Sequence, residues 1–212
     1  MGITKNIRLA TEADAAALLE IYAPYIRNTA ISFEYEVPSV ADFRERIVKV
    51  LDQYPWLVCE IDQSIAGYAY ANRHRERAAY GWAVDASIYI RPEYHRKKVG
   101  KALYIALFEL LKYQGYYNVY AGITATNEKS LRFHETFHFK PIGMYHKVGY
   151  KFGQWYDVVW MEMTLAEHPA VPEQPKRIDD IKDMPLFETI ISRALQVIPD
   201  ESLLEGRKGL AG

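Results

Sequence analysis

The side chains best placed to do chemistry are gathered between residues 80 and 104. There a basic turn, His95-Arg96-Lys97-Lys98, runs into Val99, Gly100, Lys101 and Ala102. A helix follows, with apolar residues at Leu103, Leu107, Leu110 and Leu111. Before the turn, residues 82–90 alternate and are rich in β-branched and aromatic types, which predicts a strand stopped by Arg91-Pro92. A strand, a basic turn with a glycine and a helix start form a layout that holds phosphate. The first backbone N–H groups of the helix lack partners, and its dipole favours negative charge. A basic run by itself is more often a solvated face, so the flanking strand and helix carry that reading.

Three further groups could handle protons or anions. Asp85 lies on the predicted strand beside the turn; the plain alternative is a carboxylate paired with an arginine or facing water. His134 stands seven residues after Asn127 on a predicted helix, about two turns away on the same side. A histidine suits either direction of proton transfer near neutral pH, although a lone helical histidine is more often structural. Asn127 fits a helix N-cap as well as a ligand contact. Arg73, Arg75 and Arg77 precede the strand, and a guanidinium pairs well with a carboxylate or phosphinate.

Other elements must position these groups. Ile7-Arg8-Leu9-Ala10 predicts a short first strand, and Thr11 with Asp14 caps a helix over residues 15–25 that Pro24 breaks or kinks near its end. Residues 32–36 read as extended. Pro38-Ser39 opens a helix to about residue 51, with Phe43, Ile47 and Val50 on one face. Residues 56–61 and 65–71 form a hairpin across Asp62-Gln63-Ser64. Beyond Gly115 come a strand over 119–124, a helix over 127–137, and a closing hairpin of 139–150 with 156–165. The order predicts one mixed, mostly antiparallel sheet with helices on both faces, an α/β fold of the α+β type. This domain spans 1–165. Residues 166–182 read as a proline-rich linker and 183–212 as a helical extension of unassigned role. Leu186, Ile190, Ile191, Ala194, Leu195 and Ile198 recur there at helical spacing, giving an apolar face to bury against the domain or a partner chain.

Composition narrows the function class. Lysine and arginine total 26 against 27 acidic residues, so the net charge of −1 gives no electrostatic reason to expect nucleic acid as a partner. No apolar run approaches the ~20 residues of a membrane helix, and the N-terminus lacks a signal pattern. Cys59 is the single cysteine, which fits a reducing, cytoplasmic location. It lies in an apolar run and reads as a core residue, against a role as a covalent nucleophile. His74, His95, His138 and His146 show no metal-ligand spacing, so no metal is expected.

Several segments together carry a resemblance: FEYEVPS at 33–39, YPWLVCEIDQSIAGYAYA at 54–71, RAAYGWAVDASIYIRP at 77–92, SLRFHE at 130–135 and GYKFGQWYDVVWMEM at 149–163. On these the chain resembles the GNAT acyltransferases, and more closely their phosphinothricin N-acetyltransferase branch, over roughly residues 7–165. The family's pyrophosphate motif is Gln/Arg-x-x-Gly-x-Gly/Ala. This chain departs from it with His95 at the first position and Lys98 at the first glycine, keeping Gly100. Lys98 is tolerated there if its backbone is helical.

The resemblance implies a GNAT fold and acetyl-CoA as the acyl donor, with residues 95–102 on its pyrophosphate. Ile88, Tyr89 and Ile90 of the strand, with Asn127 and Ser130, complete the implied cofactor contacts. Acetyl transfer to an amine needs a proton acceptor, because an ammonium with a pKa near ~10 is not a nucleophile at neutral pH. The family has a glutamate at the position of Asp85; aspartate is one methylene shorter and needs water or a backbone shift to reach. The branch carries a histidine at His134, which would act as alternative base or as acid toward the thiolate. Arg77, Tyr80 and Trp82 match the substrate-side pattern, and Phe33 and Glu34 align with the loop over the acceptor. The implied activity is N-acetylation of a small amino-acid-like amine such as phosphinothricin, methionine sulfoximine or methionine sulfone, by direct attack in a ternary complex. A homodimer is implied as well. Acetylation of a polyamine, an antibiotic or a protein N-terminus is the alternative within enzymes, and a non-catalytic acyl-CoA-binding module the alternative outside them.

Overall fold

The computed structural model describes residues 3–200. Seven strands form one sheet in the order β1-β2-β3-β4-β5-β7-β6. They are β1 (Lys5–Leu9), β2 (Trp56–Ile61), β3 (Ser64–Arg73), β4 (Ala83–Ile90), β5 (Asn118–Thr124), β6 (Lys140–Lys151) and β7 (Gln154–Thr164). Every pairing is antiparallel except β4 with β5. This is the mixed, mostly antiparallel sheet that the alternation predicts.

Helices cover both faces. On one, α1 (Ala15–Asn28) and α2 (Val40–Leu51) bury Leu18, Tyr22, Ile26, Phe43 and Ile47 against Trp56, Val58 and Tyr68. On the other, α3 (Val99–Gln114) packs on the alanines Ala66, Ala69 and Ala71 of β3 and on Leu57, Val84, Val119 and Ala121. Small residues beneath α3 let the helix sit close. α4 (Glu128–Glu135) follows β5 with Asn127 as its N-cap.

The apolar stripe of α3 is wider than its leucine spacing indicates: Val99, Ala102, Tyr104 and Ala106 are buried too. Two neighbours add to it: the α4 region, whose Phe133, His134 and Phe137 close over Tyr104, and α5 (Pro185–Leu195), which packs on α3 and β1 with Phe187, Ile190, Ile191 and Ala194 inside. Leu186, expected on the buried face, is exposed, and Phe187 takes its place. Residues before α5 follow the domain surface: Lys176 exchanges backbone and side-chain hydrogen bonds with Gln114, and Trp82 Nε1 donates to the Glu173 carbonyl at 2.7 Å. The expected extension also includes residues 201–212, which lie outside the described residues.

Two local expectations are corrected. Pro24 does not end α1, which continues to Asn28; the proline is on the exposed side, where water can satisfy the Glu20 carbonyl that its missing N–H leaves open. Residues 32–36 form bends rather than a strand, and are held by side chains instead. No helix among the described residues is long and apolar enough to cross a membrane.

Candidate active site

Parallel pairing of β4 with β5 is brief: only Ala83, Val84 and Asp85 face Asn118, Val119 and Tyr120. Beyond Asp85 and Tyr120 the two strands diverge, so residues 86–90 have no strand partner on that edge. The wedge leaves backbone N–H and C=O groups of β4 open to an extended ligand. Residues Ile88 and Ile90 lie towards α3, whereas the Tyr89 ring is on the other face, edge-on to Tyr22 and Tyr25.

At the mouth of the wedge stands the N-terminus of α3. The N–H groups of Val99, Gly100 and Lys101 have no acceptor among the described residues, and the first intrahelical bond runs from Ala102 N to Lys98 O. Lys98 has φ 62° and ψ 7°, and Arg96 φ 62°. Lys98 is thus left-handed, not right-handed helical, a conformation that favours glycine and costs an L-residue roughly 1 kcal/mol. A Cβ built on Gly100 would meet side-chain atoms of Ile88 and Phe133 at 3.4 Å and of Ile90 at 3.7 Å, ordinary contacts. Neither packing nor φ requires glycine there, and its lack of a side chain keeps the first turn of α3 uncrowded. His95 turns away: its Nε2 faces the Ile90 carbonyl at 3.0 Å, which also accepts from Tyr25 Oη at 2.9 Å. Lys97 lies over the Tyr94 ring at 5.4 Å. The open N–H groups, the bare Gly100 and the basic side chains around them fit a pyrophosphate.

The opposite face carries Asp85. Its Oδ1 is 2.6 Å from Nδ1 of His74, whose ring stacks on Tyr120 at 4.2 Å between centroids and 19° between planes. Burial pushes the Asp85 carboxyl up, and the His74 hydrogen bond opposes it. Beyond Asn72, which pairs in register with Asp85, a cleft of about 850 Å³ opens between α2 and the sheet. Trp56, stacked on Tyr70 at 4.1 Å, forms part of its floor. At one end Arg46 grips both oxygens of Glu34 (2.7 and 3.2 Å), and Tyr22 Oη donates to Glu34 Oε1 at 3.0 Å; Arg73, Arg75 and Arg77 stand at the other end.

Comparison with known proteins decides the family. Residues 7–160 match the acetyltransferase (GNAT) domain. Phosphinothricin N-acetyltransferase of Streptomyces viridochromogenes is 34% identical over 83% of this chain and 96% of that protein. The L-methionine sulfoximine/L-methionine sulfone acetyltransferase of Salmonella typhimurium is 32% identical over 78% and 97%. A phosphinothricin acetyltransferase from Sinorhizobium meliloti, solved in complex with acetyl-CoA, superimposes with a TM-score of 0.76 at 31% identity, covering 85% of this chain and 98% of that one. The chain belongs to the GNAT acetyltransferase family. It is an acetyl-CoA-dependent acetyltransferase with the GNAT fold.

Within this GNAT enzyme the residues singled out by sequence do not all meet. Glu34 and Arg77 line the cleft of about 850 Å³, Asp85 stands beside it on the same face of the sheet, and residues 88–90 and 96–102 form the wedge and its mouth. His134 is 3% exposed, packed among Tyr104, Phe133 and Phe139 between α3 and α4. Its Nδ1 donates to the Ser130 carbonyl at 2.8 Å and its Nε2 accepts from Tyr104 Oη at 2.9 Å. Burial depresses its pKa, which favours a neutral ring with both nitrogens hydrogen-bonded. The Asn127 side chain accepts from the Ser130 N–H at 3.3 Å, the N-cap alternative. Phe33 does not line the cleft; its ring lies under Gly149, where a Cβ would come within 2.2 Å of it. Tyr80 and Trp82 precede β4 rather than lying on it and line a second cleft of about 260 Å³ with His168 and Pro172. His74 is the residue that sequence reading missed. It precedes Asp85 by eleven residues, and only the antiparallel pairing of β3 with β4 brings the two together.

Proposed function

We propose that this enzyme acetylates the primary amine of a small, anionic amino-acid-like acceptor, of the phosphinothricin or methionine sulfone type named for its relatives. The observation that carries the reading is the half-buried carboxylate of Asp85 at the apex of the wedge, on the same face as a cleft edged by Arg73, Arg75 and Arg77. Bound acetyl-CoA supplies the activated acetyl group as a thioester. The N–H groups of Val99, Gly100 and Lys101 hold its pyrophosphate, and the open edge of β4 at residues 88–90 aligns the chain leading to the thioester. Asp85 helps remove a proton from the acceptor ammonium, and an arginine of the 73–77 segment pairs with the acceptor's anionic group. Cys59 takes no part: it is fully buried and burial pushes its thiol up to about 12.

Residues 1–165 form the catalytic unit, and the segment to residue 200 buttresses α3 from behind. Exposed Ile142, Tyr145, Val148 and Trp155 on the β6–β7 hairpin suit a homodimer contact. A buried, unbridged cysteine suits the cytoplasm. The test is calorimetric acetyl-CoA binding with a thiol-release assay over a panel of amino acids, phosphinothricin and methionine sulfone included. Turnover confined to anionic amino acids supports the reading. Turnover of polyamines alone would overturn it.

A further inference from the structure

We infer that His74 is the group that takes the acceptor's proton, and that Asp85 is a positioning residue acting through it. The inference rests on the acceptor face proposed above and replaces a lone carboxylate with a histidine–aspartate pair. Three observations carry it. Asp85 Oδ1, the atom that would have to reach an amine, is already 2.6 Å from His74 Nδ1. That contact fixes the neutral tautomer: Nδ1–H donates to the carboxylate, and the lone pair of Nε2 is left outward. Nε2 has no partner among the described residues and is not among the enclosed polar atoms.

Placement is the second observation. The His74 ring stacks on Tyr120 of β5, and Tyr120 lies in register with Asp85 of β4 at the last parallel pair before the strands part. The imidazole therefore sits at the apex of the wedge, where the reacting amine and thioester must meet. Its side chain is 10% exposed and that of Asp85 28%, so the pair is held by packing rather than free in water. Tyr80 and Trp160 flank the ring edge-on at 6.1 and 6.0 Å. The charged or titratable groups facing it are few: Asp85 on β4, Tyr120 on β5 with Glu162 of β7 behind it, Tyr80, and Arg75, whose guanidinium lies 5.7 Å over the Trp160 ring.

Chemistry is the third. An imidazole is by nature a stronger proton acceptor than a carboxylate, and Nε2 carries the lone pair that faces outward. An aspartate alone is one methylene short of the family's glutamate; a histidine standing on it restores the reach. In the step, Nε2 takes one proton from the ammonium and passes it to solvent, while Asp85 stabilises the imidazolium. The C–N bond then forms as the C–S bond breaks, and the second N–H proton ends on the departing sulfur, giving the amide and the free thiol.

The deciding experiment compares wild type with His74→Asn, His74→Gln and Asp85→Asn across about pH 6 to about pH 9, with acetyl-CoA saturating. Asparagine keeps a donor toward Asp85 but has no proton-accepting nitrogen. The expected result is a loss of about 100-fold or more in kcat/KM for both His74 variants, loss of the acidic limb of the wild-type profile, and an acetyl-CoA Kd within about twofold. Added imidazole should partly restore a His74→Gly variant. Activity of His74→Asn within about threefold of wild type, with its acidic limb intact, would overturn the inference and leave Asp85 as the direct base. If wild type turns over no acceptor, the acceptor reading is what has failed. The pair is then judged by nitrogen NMR of the imidazoles: reversal of the His74 tautomer in Asp85→Asn supports it, and an unchanged His74 signal overturns it.

Discussion

Lys151 Nζ lies 2.7 Å from the carbonyl oxygen of Ile26, close to the C-terminus of α1. The same ammonium donates to the carbonyls of Thr29 and Ser32 at 2.9 and 2.6 Å. One buried cation at the end of β6 thus ties down the chain from the end of α1 to Ser32 and offsets the negative end of the helix dipole. Tyr35 Oη, donating to the Tyr150 carbonyl, fixes the same loop to the same hairpin.

Lys151→Met should therefore strip three carbonyls of their donor at once. We expect a loss of about 3 kcal/mol in stability, since hydrogen bonds to a charged group contribute about 1.5–3 kcal/mol each and do not add. Chemical denaturation measures it. The acceptor KM should rise while acetyl-CoA affinity stays, because the cation holds the segment leading to Glu34 and not the wedge.

Gly149 is the seat of Phe33, with a Cβ there coming within 2.2 Å of the ring. Gly149→Ala should expel the ring, cost about 1–3 kcal/mol and weaken acceptor binding through Glu34 next to it. The paired variant Gly149→Ala with Phe33→Leu should recover part of the stability. Thermal melts of the two decide whether the ring is the cause.

Lys98→Gly should stabilise the protein by about 1 kcal/mol, because the left-handed turn no longer strains a side chain. Lys98→Ala keeps that strain and loses only the charge. If the N–H groups and not the Lys98 ammonium hold the pyrophosphate, acetyl-CoA should bind Lys98→Gly within about threefold of wild type.

His134 gives a pH dependence whose sign follows from its burial. Its folded pKa is below 6.5, so as pH falls through 6.5 the unfolded chain takes up the proton first. Stability is full above that pH and declines below it until the folded ring also protonates, with a slope of at most about 1.4 kcal/mol per pH unit from this group. His134→Gln should flatten that decline in melts between about pH 7 and about pH 5. Catalysis should change far less than in the His74 variants.

Ile191→Ala tests the tail. Ile191 is 4% exposed in the cluster that includes α3, so truncation should cost about 2–5 kcal/mol with kcat nearly unchanged. Urea unfolding of the full chain reports it as a lower midpoint at the same slope.

Much of this protein is legible in its sequence, because local rules act over short stretches. The Ser39 cap with Asp42, the turn at Asp62-Gln63 and the strand before the basic turn are each specified by residues a few places apart. The GNAT family is legible for the same reason: its motifs are contiguous. Pairings between distant residues are not. His134 sits in the motif expected of a catalytic histidine, yet the aromatic rings of α3 and α4 close over it, and only three-dimensional packing decides that. Lys98 reads as a basic residue in a phosphate turn, while its left-handed backbone is set by how α3 must leave β4. The partner of Asp85 was decided by the register of β3 against β4, which sets His74 on the same face at 2.6 Å. Sequence by itself determined most of the elements, the basic turn before α3 and the family. Tertiary structure alone decided which titratable groups share a face and which are buried away from it, because proton transfer depends on distances of a few ångströms between residues that the chain keeps far apart.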